Sequence, residues 1–369
     1  MRYAIFLTGM ISFLSFFSSS AFAVCPNPFD LPCACENHPN YCIATGDKNF
    51  TYYTIGQDLA KYVAPDAGID LMAVAGGSIQ NVQKMRYQDG VKLSIVQSDV
   101  LQHYEQAAKA GYEYASHLIS PLRVILPLYY EEVHIVVRSD SSLKSFKDLY
   151  NKRIALGSIT GGSAMTGSAL YALLFNEDIP ENNAVFSNAD EALKALTVDK
   201  TVDAWIMVAG QAAKRFAELP AAARDHIKLL SFNANDPQEK AILQGAYYPT
   251  AIKKAYYPWL TADVPTVAVQ SILITQKYKS AGTKKKITRF TESLCKNFAV
   301  LQKKGHNKWH DINLELSKLS GGWKYSEDVK KGFMSKACRQ ATSAVKTQKT
   351  EGEASSSCST KERVLGLCK

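Results

Sequence analysis

The sequence predicts an α/β protein of two lobes. Three observations carry that prediction: short apolar runs alternate with stretches of helical period, the alternation breaks once near the middle, and it then resumes with the same rhythm. Strands alternating with helices imply crossover units and a mostly parallel sheet.

The first 23 residues precede that pattern and read as a secretory signal peptide. Arg2 gives a positive start, an apolar core runs from Ile5 to Phe17, and Ala21-Phe22-Ala23 offers small residues for a peptidase. The core is shorter than the roughly 20 apolar residues that a spanning helix needs. Cleavage after Ala23 and a periplasmic location are therefore expected. Residues 24–42 form a Pro- and Cys-rich extension with no period of 2 or 3.6, read as a stapled loop that precedes the first strand.

The alternation begins beyond it. Leu71–Ala75 reads as a strand, Ser78–Tyr87 as a helix, Leu93–Val96 as a strand and Asp99–Ala110 as a helix. Then come two strands without a helix between them, Leu122–Leu126 and Val133–Val137, separated by Pro127. This is where the chain leaves one lobe for the other. In the second lobe strands are expected at Arg153–Leu156, Ala184–Phe186, Ala204–Val208 and Ile227–Leu230. Helices are expected at Ser163–Phe175, Asp190–Thr197 and Gln211–Glu218. Val267–Ile274 returns to the first lobe. The lobes are thus 43–131 with 265–341, and 132–264, followed by a polar Cys-containing tail at 342–369.

Eight cysteines fall in two groups. Cys25, Cys33, Cys35 and Cys42 lie near the start, and Cys295, Cys338, Cys358 and Cys368 near the end. An even number in an exported chain argues for disulfides, with connectivity open. Cys33-Ala34-Cys35 matches neither a zinc knuckle nor a thioredoxin motif, and the histidines His103, His117 and His134 are scattered, so no metal is expected. The net charge is +9, and ten Lys and Arg lie between Lys277 and Lys308 with Glu292 the one acid. That run is either a solvated helix face or a docking surface for an acidic partner or anionic membrane. No aromatic–basic interleaving suggests nucleic acid.

Candidate binding residues sit where strands give way to helices, because helix starts carry unpaired N–H groups and partial positive charge suited to carboxylates. Gly76-Gly77-Ser78 follows one strand, with Asn81 one turn along. Gln97-Ser98-Asp99 ends the next, and Gly157-Ser158-Ile159-Thr160-Gly161-Gly162-Ser163 joins strand to helix in the second lobe. Each junction alone is also what plain helix capping produces; three of them across two lobes point to a shared ligand. Tyr52 and Tyr53 open the first helix, and Trp205 would either pack in the core or cover a ligand's apolar body. There is no Gly-x-Ser-x-Gly, His-Glu-x-x-His or phosphate-loop motif, and no acid–base pair is evident, so no catalysis and no cofactor are expected.

Ile43–Gly46, Thr51–Gly56, Gly76–Asn81, Gln97–Asp99, Val136–Ser141, Arg153–Gly157, Val202–Trp205 and Val264–Val269, in that order, resemble the TAXI family. These are the solute receptors of tripartite ATP-independent periplasmic (TRAP) transporters, and the resemblance spans about residues 43–330. It implies a type II periplasmic-binding-protein fold that closes on a small carboxylate-bearing molecule, such as an amino acid, a 2-oxo acid or a dicarboxylate. The ligand would pass to a membrane permease through transient docking, with the receptor a monomer. Carried over, the first-lobe contacts are Thr45, Tyr53, Gly77, Ser78, Asn81, Gln97 and Ser98, and the second-lobe contacts Thr160, Gly161, Gly162, Ser163 and Trp205. Asn49-Phe50 stands where the family has a glycine pair, so Phe50 would narrow the cleft. The same fold also serves a second reading, a sensor module reporting to a signalling partner or one whose cleft is no longer used.

Overall fold

The computed structural model describes residues 41–319 and 322–341. The expected signal peptide, most of the 24–42 extension and the 342–369 tail lie outside those residues.

The first lobe runs through β1 (Tyr41–Ala44), α1 (Thr51–Tyr62), β2 (Leu71–Val74), α2 (Ser78–Tyr87), β3 (Val91–Gln97), α3 (Ser98–Lys109) and α4 (Glu113–Ile119). The strand β4 (Leu122–Arg138) then leads into β5 (Ile154–Ala155), α5 (Gly162–Phe175), β6 (Ala184–Val185), α6 (Ala189–Thr197) and β7 (Ala204–Ala209). After α7 (Lys214–Ala217), α8 (Ala221–Arg224), β8 (Ile227–Leu229), α9 (Pro237–Lys240) and β9 (Tyr248–Ile252), β10 (Val264–Gln276) returns. The helices α10 (Ala281–Lys296), α11 (Phe298–Lys304) and α12 (Glu327–Phe333) pack on the first lobe.

One sheet runs through both lobes in the order β2-β1-β3-β10-β4-β7-β5-β6, with β8 on β4 and β9 on β10. The β1–β2 and β1–β3 pairs are parallel, whereas β10 is antiparallel to both β3 and β4. A 17-residue β4 extends for about 56 Å at the usual rise of a strand, long enough to belong to two cores. Its first half and the end of β10 complete the first lobe; its second half pairs with β7 in the second. This is the strand order of a type II periplasmic-binding-protein fold.

Each half-sheet is buried on both faces, which explains why its strands read as continuous apolar runs. In the first lobe Ile55, Leu59, Phe290 and Trp309 cover one face, and Val82, Met85, Val100 and Leu101 the other. In the second, period-2 alternation along β7 sends Ala204 and Ile206 to one core and Trp205 and Met207 to the other. A disulfide joins Cys295 on α10 to Cys338 beyond α12, and Cys42 is disulfide-bonded as well.

Three sequence expectations change. Cys42 does not precede the first strand but lies inside β1. Pro127 does not separate two strands: β4 is continuous through it, and the pairing with β10 slips between Gln270 and Ile272, where Pro127 faces Ile272. A residue with no N–H to offer fits where the ladder is already irregular. The helix expected at Gln211–Glu218 shrinks to Lys214–Ala217 because Gln211 is engaged elsewhere. Its backbone N–H donates to Glu132 Oε2 at 2.8 Å and its side chain to Glu132 Oε1 at 2.9 Å, where β4 crosses between lobes.

Candidate functional site

A cavity of about 1110 Å³ lies between the lobes. From the first lobe Gly76, Gly77 and Ser78 at the start of α2 border it, with Gln97 at the end of β3 and Glu131 on β4. From the second come the loop Gly157–Ser163, residues 187–188 before α6, and β7 from Trp205 to Ala209. The starts of α2 and α5 meet across it. A Cβ built on Gly77 would stand 2.6 Å from the Thr160 carbonyl oxygen and 2.9 Å from Gly161 Cα. The Gln80 N–H points at the same Thr160 oxygen at 3.4 Å. Neither α2 nor α5 has a side chain capping its first turn; the Gln80 N–H is directed at Thr160 O and the Gly161 N–H donates to Ser158 O at 2.8 Å, and the other N–H groups of the two first turns are open to an acceptor from outside.

The lobes also hold each other directly. Asp99, on the first turn of α3, accepts from Thr166 Oγ1 at 2.6 Å and Tyr247 OH at 3.1 Å, both second-lobe groups. Burial raises the Asp99 carboxyl, against those hydrogen bonds, which lower it. Phe50 borders the cavity and packs against the second-lobe core, while Met165 of α5 packs against the first. The conformation is therefore a closed one.

Gly77, Ser78, Gln97, Thr160, Gly161, Gly162, Ser163 and Trp205 all border the cavity. Ser163 Oγ accepts from the Val208 N–H at 3.0 Å, which keeps its own proton free for a ligand. Trp205 is 1% exposed and packs on Phe216, so core and cleft share it. Thr45, Tyr53, Asn81 and Ser98 do not border the cavity. Thr45 Oγ1 donates to Val74 O at 2.9 Å, Asn81 Nδ2 donates to Thr45 O at 2.9 Å and Ile95 O at 2.8 Å, and Ser98 Oγ accepts from the Gln270 N–H at 3.2 Å. These three tie strand ends together behind the site, and Tyr53 sits half-buried on α1.

Several charged residues escaped the sequence reading. Lys84 is 1% exposed, its ammonium donates to Ala75 O, and a Cβ on Gly76 would lie 3.0 Å from Nζ. It places a cation directly behind the α2 turn, and burial brings its ammonium down to about 8. Its spacing gave a signal, since Ser78, Asn81 and Lys84 follow at i, i+3 and i+6 on one face. Glu131 is 5% exposed and accepts from Tyr52 OH at 2.5 Å; burial lifts its carboxyl to about 8. His134 is buried, bonded to Glu132 O and Tyr257 OH, and pushed down to about 4 by burial. Among the described residues no group of His, Cys, Asp and Glu could hold a metal, and no helix is long and apolar enough to cross a membrane.

A family model described as NMT1-like matches residues 43–320. The chain belongs to the NMT1-like family. The match covers both lobes and every cavity-bordering residue named above. Among solved structures, this NMT1-like chain is similar to a putative sulfonate ABC transporter's periplasmic sulfonate-binding protein, SsuA, from Methylobacillus flagellatus KT. The identity is 16% over 73% of each chain, with a TM-score of 0.40. It is also similar to the arginine-, lysine-, histidine-binding protein ArtJ from Geobacillus stearothermophilus, with 13% identity over 71% of this chain and 91% of that one, and a TM-score of 0.43.

Proposed function

We propose that this NMT1-like protein is an exported solute-binding receptor that captures a small carboxylate-bearing molecule between its lobes and performs no chemistry on it. The observation that carries this reading is the convergence of two uncapped helix starts, at Gly77–Ser78 and Gly161–Ser163, on one interlobe cavity. Backbone N–H groups at such starts, with Ser78 and Ser163 hydroxyls and the Lys84 ammonium behind, favour an anion. A ligand that bonds both lobes stabilises the closed form by its differential affinity, and the closed form is what a membrane partner would recognise.

The TAXI-like motifs, from Gly76–Asn81 through Val202–Trp205, favour a TRAP-type permease as the recipient.

The test is calorimetric titration with amino acids, 2-oxo acids and dicarboxylates, repeated on Ser78→Ala and Ser163→Ala. Each variant is expected to weaken binding by about 1 kcal/mol or more, roughly five-fold. Unchanged affinity in both variants, or recovery of a chemically altered ligand by mass spectrometry, contradicts the reading.

A further inference from the structure

The cavity is acidic. Asp47, Glu131, Asp190, Glu191 and Glu218 border it, against Lys214 and Arg215. Both cations are already paired, Arg215 with Asp190 at 2.6 Å and Lys214 with Glu218 at 3.9 Å. Four of the five acids are exposed at the rim, whereas Glu131 is buried on the floor. No described cation forms an ion pair with it, since Lys308, the buried cation of this region, pairs with Asp311 at 2.9 Å. Gln97 stands two strands away, on β3. Glu131 pairs with Val269 and Gln97 with Ser271 on the intervening β10. Gln97 is 3% exposed, borders the cavity, and its Oε1 has no donor. The floor thus offers a buried carboxyl that accepts one hydrogen bond, from Tyr52 OH, and is paired with no described cation, together with a Gln97 Oε1 that has no donor and lies against Gly162 at the start of α5.

We propose that Glu131 and Gln97 receive a protonated amine of the ligand, so that the cleft takes acids bearing an amino group in preference to 2-oxo acids and dicarboxylates that lack one. This rests on the cleft being a carboxylate-binding site. Tyr52 OH, Tyr129, Glu132, Asp99 and Lys308 are the titratable groups around Glu131. Among them the two carboxyls oppose its ionisation and only Lys308 favours it by charge. Burial holds the carboxyl protonated near neutrality, at about 8. An arriving ammonium reverses that balance: the O–H bond of Glu131 breaks, the proton leaves to solvent, and a carboxylate–ammonium pair forms with charge conserved.

Isothermal titration calorimetry at pH 7 with L-glutamate, L-alanine, 2-oxoglutarate and glutarate, each in phosphate and in Tris, tests this. At least one amino acid is expected to bind about tenfold or more tightly than both amine-free acids. Its heat should change with the buffer, reporting proton release. In Glu131→Gln the preference should shrink to about threefold or less and the proton release should vanish. Binding of 2-oxoglutarate or glutarate as tight as that of L-glutamate overturns the amine assignment and leaves the carboxylate reading standing. So does an unchanged preference in Glu131→Gln. Binding of none of the four overturns both.

Discussion

Replacing Glu131 by Gln should stabilise the ligand-free protein, and more so as the pH rises. The carboxyl is buried, accepts one hydroxyl from Tyr52, and has its pKa lifted by burial to about 8 from an ordinary value of 4.5. A folded state that holds the proton more tightly than the unfolded chain is favoured at low pH. That contribution is fully present below about 4.5 and is lost progressively as the pH climbs toward 8. At about 1.4 kcal/mol per pH unit, the loss amounts to roughly 3 kcal/mol by pH 7 and about 5 kcal/mol once the window is crossed. A Gln carbonyl still accepts from Tyr52 and has no proton to lose. Other groups titrate nearby: His134, down at about 4, adds stability as pH rises toward 6.5, and Lys84 acts above about 8. Both contribute alike to the two proteins, whereas Glu132 and Asp99, whose charges act on Glu131, enter the difference together with it. Urea unfolding of both at pH 5, 6, 7 and 8 is the assay. The variant's advantage should grow from near zero to about 3 kcal/mol at pH 7. An advantage independent of pH, or a variant less stable at pH 7, refutes the burial argument.

Three further expectations follow from named contacts. Gly77→Ala would put a methyl 2.6 Å from the Thr160 backbone oxygen, so small-angle scattering should show a more open particle; an unchanged profile contradicts the packing described. Thr166→Val removes a buried donor to Asp99 and should shift the lobes toward opening while costing about 1–3 kcal/mol, measured by scattering and urea unfolding together; no change in either is the contrary result. Cys338→Ser releases a cross-link between positions 43 residues apart and should lower unfolding free energy by up to about 4 kcal/mol, read from denaturant midpoints; a midpoint that does not move contradicts it.

Much of the scaffold was legible because burial on both faces leaves apolar runs. The helix Ser78–Tyr87 has the expected bounds, and the strands at Leu93 and Val267 differ only at their ends. Pro127 misled because a strand shared by two cores tolerates an irregular pair, something local sequence does not state. Gln211 misled because its hydrogen bonds go to Glu132, 79 residues earlier. At the site, glycine- and serine-rich junctions revealed the helix starts, since those residue types follow from backbone geometry. They did not distinguish Ser78 and Ser163, which border the cavity, from Ser98, whose hydroxyl is spent on Gln270. Charged residues were the main omission. Lys84 and Glu131 went unread, and Asp99 was read only as part of the Gln97–Asp99 junction; all three are types that usually stand in water, and their burial arises only when helices and lobes come together. A signal did exist: Glu131-Glu132 interrupts a 17-residue strand that is otherwise almost wholly apolar and buried.

The most direct measurement is a crystal structure with the best-binding acid from the titrations. Its carboxylate oxygens should lie about 3 Å from the N–H groups and hydroxyls at both Gly77–Ser78 and Gly161–Ser163, touching both lobes at once. A ligand seated instead in the outer pocket between Leu314 and Met334, or held by one lobe alone, would contradict capture between facing helix starts.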